Sequence, residues 1–558
     1  MIPLRILLIV LLSLVFLPAA QAGTPAELVF TNGHIYTVDP RLGRVEALAI
    51  ARGKIIAVGT SEEIQHWVGP DTKVIDLEGK FVMPGFNDAH THFGSGGLGL
   101  LSVNVEGTRS LAEFQERIRV RLPDFQPGEW IVGRGWDQSL WPENRMPTRA
   151  DLDAVSAGHP MLFERVDGHS SVASSLALER AGITRDTPDP EGGAIVRDAD
   201  GEPTGWLKEN AVGLVQKLIP PPTREQRQRG HLLALAEAAR LGITSIQDNS
   251  DWEDFLALRT LKEEGKLTLR VTEWLPFSAP LDRLEEMRRQ GGATDPWLKT
   301  GALKGVTDGS GGSLSAAMLE PFAPEAAGTP DNRGILLFDP GDLKKMVIDR
   351  EAAGFQINLH AIGDRANRVV LDAFEAARKV NSRPNTRHRI EHAQFVHRDD
   401  FPRFKELGVI ASMQPSHVLS DMRWAPAILG PAREYEAYAW NSMLEAGATL
   451  AFGTDYPVEP LSPFRGLYAC LTREAEAGGP EGGWLPEEKI SIGDCLRAYT
   501  WGSAFGEFED HRKGTLAPGK FADLIVLSRD VTRSTPAEVL RTEVLLTMVG
   551  GKIVYEKK

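Results

Sequence analysis

VMPGFNDAHTH, residues 82–92, joins an apolar, strand-like run to a pair of histidines. His90 and His92 lie two positions apart on an extended segment, so their side chains point to the same side and can converge on one ion. A His-x-His pair alone is weak evidence, because single histidines are common in cores and on surfaces. The ends of the other strand-like runs therefore have to be compared with this one.

Short apolar runs alternate with longer helical patterns through the middle of the chain, which is typical of parallel β/α units. Helices are predicted, for example, over residues 224–241, 367–380 and 400–407. Strands are predicted to begin near Phe81, Thr244, Leu269, Thr300, Gln356, Arg389, Val409 and Thr449. Eight is the strand number of a TIM (β/α)8 barrel, so we predict an α/β fold with this barrel over residues 81–507.

Several of the predicted strands end in residues that can bind a metal ion. These residues are His90 and His92 after the first strand, and His360, His392 and Asp455 at the ends of INLH, RIEH and AFGT. A barrel brings the C-terminal ends of its strands into one ring, where imidazoles and a carboxylate favour a divalent metal such as Zn²⁺. Asp455 is also predicted to be the base that takes a proton from an attacking water. Considered alone, it could equally be a helix N-cap.

Both ends of the chain have a hairpin-like texture instead. Between residues 23 and 80, and again between 508 and 558, β-branched runs turn at Asn-Gly, Arg-Gly and Gly-Gly pairs. Neither end has enough strands for its own core, so we predict one small β-sandwich-like domain that both termini build together. Residues 94–218 exceed what one crossover needs, and we predict an insertion there over the barrel mouth.

The composition excludes several classes of protein. The 558 residues are 42% hydrophobic and 25% charged, which is typical of a globular chain with a large core. The formal net charge of −14 would repel phosphate groups, so nucleic acid is not an expected partner. The sequence has neither a phosphate-binding glycine loop nor a Gly-x-Ser-x-Gly elbow, which argues against nucleotide binding and against a serine hydrolase.

Residues 1–22 are predicted to be a secretory signal peptide, because Arg5 precedes an apolar run and AQA at 20–22 resembles a cleavage site. The apolar run is shorter than a membrane-spanning helix, which argues against the alternative, an uncleaved anchor. We therefore expect an exported, periplasmic protein without membrane contact. Cys470 and Cys495 would meet an oxidising compartment, but both lie in helical patterns, and we expect two buried free thiols rather than a disulfide.

Six motifs together resemble those of a known family. They are VMPGFNDAHTH, GALKGVTDGSGG, NLHAIGD, RIEHAQ, FGTDYPV and KGTLAPGKFADLIVL. On these motifs the sequence is similar to the amidohydrolase superfamily, specifically its amidohydrolase-3 branch, which includes N-substituted formamide deformylases. The similarity spans nearly the whole mature chain. It implies a metal-dependent hydrolase with a TIM barrel and a β-domain built from the flanking segments.

The resemblance also implies a lysine ligand. In members with two metals, the first two histidines of the set hold one ion, the later two hold the other, and a carboxylated lysine at the position of Lys304 bridges them. A buried, neutral lysine amine can capture CO₂ in this way. The alternative is a single metal with Lys304 unmodified and ion-paired with Asp308 or another carboxylate.

Four residues are predicted to contact the substrate. They are His169, Trp136 and Trp141 on the insertion, and His417 after the seventh strand. His169 resembles a substrate-facing histidine of the branch and is also predicted to be catalytic, because it could hold a carbonyl oxygen. For His169 and the two tryptophans, packing within the insertion is the alternative.

The predicted reaction is hydrolysis of a carbon–nitrogen bond other than a peptide bond, in a small molecule, by a water that one or two metal ions activate. The residues alone would equally suit a metal-dependent esterase or lactonase. A non-catalytic, exported barrel that binds a ligand is a third alternative. A binder has no need of the proton shuttle that Asp455 offers, which favours an enzyme.

Overall fold

The computed structural model describes residues 25–166, 168–324 and 331–558, and the predicted signal peptide lies outside them. Its centre is an eight-stranded parallel sheet in strict chain order. The strands are β1 (Phe86–Thr91), β2 (Ile243–Asp248), β3 (Arg270–Pro276), β4 (Leu298–Val306), β5 (Ile357–Ala361), β6 (Arg389–His392), β7 (Ile410–Met413) and β8 (Thr449–Phe452). A parallel bridge between Thr91 and Tyr456 closes the sheet. The predicted TIM barrel is confirmed.

The first barrel strand starts later than predicted. Phe81–Pro84, which we expected to open the barrel, instead pairs with His34–Tyr36 and Leu524–Leu527 in a sheet of the terminal segments. Gly85 separates the two strands, and a Cβ there would lie 2.1 Å from Thr244 Cγ2. The continuous apolar run FVMPGF hides this change of sheet, because both strands are buried on both faces.

Helices surround the barrel and fill its connections. After β1 and around β2 and β3 they span Phe93–Leu101, Arg224–Arg240, Trp252–Glu263 and Leu281–Gly291. The later ones span Pro340–Ala352, Asp364–Asn381, Phe401–Leu407, His417–Asp421, Ala425–Leu429, Trp440–Glu445, Pro463–Thr472, Ile492–Arg497 and Ser503–Gly506. Within the described residues, no helix combines the length and apolar character that crossing a membrane requires.

The two termini form two facing sheets. One has the strands Lys54–Gly59, Ala47–Ala51, Leu28–Thr31 and Lys73–Asp76 in that order. The other has the order Lys552–Glu556, Val544–Val549, Leu524–Leu527, Phe81–Pro84, His34–Tyr36 and Arg44–Val45. Short helices at Ser61–Ile64 and Pro536–Leu540 complete these segments. Apolar residues from both ends of the chain, such as Phe30 and Leu524, share one core between the sheets.

The segment between β1 and β2 contains a six-stranded sheet of its own. Its strands, in spatial order, are Gly193–Arg197, Pro203–Glu209, Ser170–Ala173, Met161–Arg165, Ile131–Trp136 and Val103–Asn104. Helices Leu111–Arg121, Arg149–Asp153, Ser175–Arg180 and Gly213–Gln216 pack beside it. Two apolar clusters, one on each side of the sheet, give this insertion its own core.

The expectation of two free thiols is wrong. Cys470 and Cys495 form a disulfide, with their Cα atoms 6.5 Å apart. They lie on the helices Pro463–Thr472 and Ile492–Arg497, which are packed together. The helical pattern around each cysteine was correct, but it contains no information on which helix faces which.

Candidate metal centre

Two histidines lie at the barrel mouth, His90 on β1 and His92 directly after it. His90 is fully buried, and its Nδ1 lies 2.7 Å from Glu391 Oε2. His92 is half-buried, and its Nδ1 lies 3.2 Å from the carbonyl oxygen of Asn249. Because each Nδ1 faces an acceptor, we assign the ring proton to it, which leaves Nε2 with its lone pair directed into the mouth.

Asp455 follows β8 and brings a carboxylate to these rings. Its N–H donates to the carbonyl oxygen of His90 at 2.8 Å, so barrel closure itself positions it. Its Oδ1 lies 3.2 Å from His92 Nε2 and 3.5 Å from His90 Nε2, and its Oδ2 lies 3.5 Å from His417 Nε2. Asp455 belongs to two groups of three possible metal ligands. The first group contains His90 and His92 and the second His392 and His417, and within each group the ligand atoms lie within 4.8 Å of one another.

The other two predicted histidine ligands are in contact with each other but face different partners. His392 Nδ1 lies 2.9 Å from Gln414 Oε1, which again directs Nε2 to the centre. The ring of His360 is 4.5 Å from that of His392, centre to centre. His360 Nε2, however, lies 3.3 Å from Asp308 Oδ1 and belongs to neither group of close ligand atoms.

Lys304 projects from β4 into the same centre. Its Nζ lies 3.4 Å from His90 Nε2 and 5.5 Å from the centre of the Trp274 ring. Burial lowers the pKa of Lys304 to about 8, because the ammonium group loses its water. Among the described residues no carboxylate oxygen lies within ion-pair distance of this amine, and Asp308, its predicted alternative partner, instead accepts backbone N–H groups of Ala317, Ile362 and Gly363.

Burial also lowers the pKa of two of the imidazoles. The pKa of His90 falls to about 4, mainly because burial removes water and secondly because Lys304 is near. Burial and the neighbouring His360 hold the pKa of His392 well below its usual range. Burial alone would raise the pKa of Asp455, but the surrounding imidazoles hold it well below its usual range. At neutral pH His90 and His392 therefore offer neutral nitrogens and Asp455 a carboxylate, which are the protonation states that bind a metal.

Two atoms of the centre have unused bonding capacity. Asp455 Oδ1 and His417 Nε2 are buried, and no group in the described part of the chain is aligned to form a hydrogen bond with either. Buried polar atoms without partners cost free energy, and a cation between them would remove that cost. A donor set of imidazole nitrogens and a carboxylate, without thiolates, suits Zn²⁺ and other borderline divalent ions. The residues fit a divalent metal.

Comparison with known proteins gives the family. The model of the amidohydrolase family matches residues 73–555. This chain belongs to the amidohydrolase family. Protein LONG AFTER FAR-RED 3 of Arabidopsis thaliana is 34% identical over 546 residues, which cover 96% of this chain and 92% of that protein. The N-substituted formamide deformylase of Arthrobacter pascens is 28% identical over 554 residues, with coverages of 95% and 98%.

A solved structure agrees with this assignment. An uncharacterized metal-dependent hydrolase from Pyrococcus furiosus superposes with a TM-score of 0.73 at 30% identity, covering 91% of this chain and 100% of that one. With this fold and family, and with a mouth that fits a divalent ion, the protein is a metal-dependent hydrolase.

The predicted substrate residues on the insertion of this amidohydrolase have different positions. His169 has a side chain that is 71% exposed, and its Nδ1 lies 3.2 Å from Glu209 Oε1 on the neighbouring strand. Trp136 and Trp141 are 0% and 3% exposed. Both are buried in the core of the insertion, and their indole N–H groups donate to the carbonyl oxygens of Phe163 and Thr108. We therefore assign the tryptophans to packing, which was their alternative.

Sequence reasoning missed the residues that orient the histidines. Glu391 and Gln414 hold the Nδ1 atoms of His90 and His392. Gln414 follows β7, the neighbour of the strand that carries His392, whereas Glu391 lies on β6, which is not a neighbour of β1. One signal was present: in RIEH, a glutamate stands inside a short barrel strand, where a charged side chain requires a buried partner. Arg389, on the same strand, supplies one at 2.8 Å.

Proposed function

We propose that this protein hydrolyses a carbon–nitrogen bond other than a peptide bond in a small molecule. The observation that carries the proposal is the position of the Asp455 carboxylate, which is buried, lacks an aligned donor at Oδ1 and lies among the Nε2 atoms of three histidines. A base within reach of the Nε2 atoms of several imidazoles is what hydrolysis by an activated water requires.

The ion is proposed to be Zn²⁺, as one or two atoms, held by His90, His92, His392 and Asp455, with His360 and a carboxylated Lys304 completing a second site. When bound, such an ion polarises the substrate carbonyl and makes the attacking water more acidic. The Nε2 atom of His360 now faces the Asp308 carboxylate. For this atom to bind the second ion, the ring would have to rotate away from Asp308.

The protein groups carry the proton. Asp455 accepts a proton from the attacking water as the water adds to the carbonyl carbon, and then donates it to the leaving nitrogen as the carbon–nitrogen bond breaks. His417 lies within 3.5 Å of Asp455 Oδ2 with a side chain that is 12% exposed, so it can contact a substrate oxygen at the mouth. His169 is proposed to contact a distal part of the substrate, because it lies exposed on the insertion.

Asp455→Asn tests the assignment of the base. We expect kcat/KM to fall by about 10²–10⁴-fold, the usual contribution of a general base, with the circular dichroism spectrum unchanged. Asp342→Asn, at an exposed helix position, is the control and should retain wild-type activity. Full activity in Asp455→Asn would exclude Asp455 as the proton carrier. Elemental analysis of both proteins, purified without chelators, gives the metal identity and the number of ions per chain.

The choice of an amide-type bond is supported by the formamide deformylase relative, whose name describes a carbon–nitrogen cleavage. A panel of matched N-substituted formamides, simple amides, esters and lactones tests it. Faster hydrolysis of the amide members supports the proposal. Hydrolysis confined to esters and lactones would replace it with the esterase alternative.

Export is a separate proposal that rests on the composition of residues 1–22 and is supported by the Cys470–Cys495 disulfide, since disulfides persist in oxidising compartments. N-terminal sequencing of the protein from a periplasmic extract tests it. A mature chain that begins after residue 22 is expected, and recovery of the uncleaved chain from the cytosol would contradict it.

A further inference from the structure

A cavity lies beside the metal centre, at the C-terminal ends of β2 and β3. Its volume is about 480 Å³, and its lining includes Asn249, Asp251, Trp252, Glu273 and Trp274. It shares walls with the centre. The carbonyl oxygen of Asn249 faces His92, and the Trp274 ring stands edge-on to His90 with the ring centres 5.1 Å apart.

The cavity contains a buried carboxylate that is only half used. Glu273 is 1% exposed, and its Oε1 accepts the N–H of Ser250 at 3.0 Å, while its Oε2 has no hydrogen-bond partner among the described residues. Asp248 lies opposite Glu273 in the pairing of β2 with β3, and its carboxyl group is also only half used. Its Oδ1 accepts the N–H of Phe93, and its buried Oδ2 has no partner in that part of the chain.

Two basic side chains near these carboxyl groups, Arg227 and His231, are engaged with other acids, whereas Lys304 lies 5.5 Å from the centre of the Trp274 ring and contacts His90. Arg227 pairs with Asp254 at 2.5 Å and with Asp251 at 3.5 Å, and His231 lies 3.2 Å from Asp254. Within the described residues, no Lys, Arg or His nitrogen lies within ion-pair distance of the Glu273 or Asp248 carboxylates. Burial and the neighbouring Asp248 raise the pKa of Glu273 well above its usual range, so a cation next to the free Oε2 would stabilise the ionised form that burial disfavours.

The walls indicate which kind of cation fits. Trp252 and Trp274 are large aromatic surfaces, and aromatic faces attract organic cations. Arg227 also lines the cavity and repels a divalent ion about twice as strongly as a monovalent ammonium group at the same distance, which disfavours the divalent ion. The net charge of −14 on the whole chain attracts cationic molecules rather than anionic ones.

We propose that this cavity binds an organic ammonium group, and that this group belongs to the substrate. Glu273 supplies the charge partner through Oε2, and the two tryptophans enclose the alkyl or aryl part next to the nitrogen. The cavity adjoins His90 and His92, so a short linker joins the ammonium group to the bond that is cleaved. The assignment of the ammonium group to the substrate rests on the proposed function, whereas binding of the ammonium group does not.

Calorimetric titration of the protein as purified, with benzylammonium and with neutral benzyl alcohol, tests the site without any turnover. Glu273→Gln removes the charge and keeps the shape. Asp251→Asn removes a charge at the rim, where the side chain is 78% exposed and asparagine still suits a helix N-cap, so this variant should fold normally. Glu253→Gln is the control, because that glutamate is exposed on the same helix and outside the cavity lining.

We expect the wild type to bind benzylammonium at least about tenfold more tightly than benzyl alcohol, as desolvated charge pairs do. Glu273→Gln should lose most of that preference. In Asp251→Asn the preference should fall about two- to threefold, and in Glu253→Gln it should stay unchanged. Equal binding of the two probes by the wild type, or an unchanged preference in both Glu273→Gln and Asp251→Asn, would overturn the site.

Inhibition kinetics then identify the source of the cation. If the ammonium group is part of the substrate, benzylammonium inhibits hydrolysis competitively, and substrates with an ammonium group lose more kcat/KM in Glu273→Gln than matched neutral ones. Noncompetitive inhibition would show that the cation is a separate ligand and would overturn its assignment to the substrate. Because the titration needs no activity, the absence of any hydrolysis would count against the proposed function and leave the cation site intact.

Discussion

At the scale of single residues, the direction of each imidazole depends on one hydrogen bond. Glu391, the carbonyl oxygen of Asn249 and Gln414 hold the Nδ1 atoms of His90, His92 and His392. Such partners fix the tautomer and the ring orientation before a metal arrives. Of these, Gln414 is the neutral side chain, so its removal changes orientation without leaving a buried charge behind.

Gln414→Leu is expected to weaken metal binding by about 10–100-fold, the usual effect of losing an orienting partner. The measurement is a competition titration of the apoprotein with a chromogenic chelator. Gln115→Leu, which removes a hydrogen bond to the Asp151 carbonyl oxygen on the insertion, should leave the affinity unchanged. If Gln414→Leu binds metal as tightly as the wild type, His392 is oriented by packing alone.

Lys304 provides a test with a defined pH dependence. Burial lowers its pKa from 10.5 to about 8, so the neutral amine becomes abundant as the pH rises through 8, whereas an exposed lysine would remain charged. Carbamate formation consumes the neutral amine and CO₂ and releases a proton, so it also increases in that direction.

We expect bicarbonate to increase metal uptake by the apoprotein, more at about pH 9 than at about pH 7. Lys304→Met should abolish this effect, and Lys345→Met, at an exposed helix position, should not. Intact mass spectrometry of the loaded protein should find the mass of one added CO₂. A bicarbonate effect that persists in Lys304→Met would assign it to another group.

At the scale of secondary-structure elements, the Asp88 side chain joins β1 to the segment after β8, in addition to the backbone contacts between them. Asp88 on β1 accepts the N–H of Thr454 at 2.9 Å and its hydroxyl at 2.6 Å. Asp455, the next residue, is thereby fixed beside His90. The same two elements that close the barrel therefore carry both ends of the metal centre, which links closure to function.

The disulfide joins two helices that follow β8. It closes a loop with a sequence separation of 25, so chain entropy alone gives it about 2–4 kcal/mol of stabilisation. We expect the double variant Cys470→Ala/Cys495→Ala to unfold at a lower urea concentration than the wild type. A reductant should lower the wild-type midpoint and leave that of the variant unchanged. Identical midpoints for all four samples would show that the bond contributes nothing.

At the scale of the whole molecule, a buried ion pair joins the barrel to the terminal sheets. Arg270 on β3 contacts Asp523 through two bonds, Nε to Oδ2 at 2.7 Å and Nη2 to Oδ1 at 2.9 Å, and both side chains are 5% exposed. Asp523 also accepts the N–H of Gly550. A barrel strand is thus tied to two parts of the C-terminal segment.

Asp523→Asn should lower the free energy of unfolding by about 3–5 kcal/mol, because it leaves the buried Arg270 without its counter-ion. Asp530→Asn is the matched control in the same segment. Its partner Arg44 lies at 3.0 Å but is 36% exposed, so less than about 1 kcal/mol is expected. Denaturant unfolding measures both, and equal losses would show that burial does not set the strength of these pairs.

Local patterns were sufficient for the α/β class, for β2 to β8 and for the helix at Arg224–Arg240, because alternation and helical periodicity report burial along one segment. They also placed the metal-binding residue types at strand ends, where a barrel collects them. They did not separate Phe81–Pro84 from β1, since both strands are buried on both faces.

Contacts between distant segments were beyond the sequence alone. The Nδ1 partners Glu391 and Gln414, the place of His417 beside Asp455, the rotation of His360 towards Asp308 and the Cys470–Cys495 bond all depend on which strands and helices are neighbours. The physical reason is that residue type and spacing constrain backbone conformation locally, whereas side-chain partners are chosen only when the barrel closes and the insertion packs.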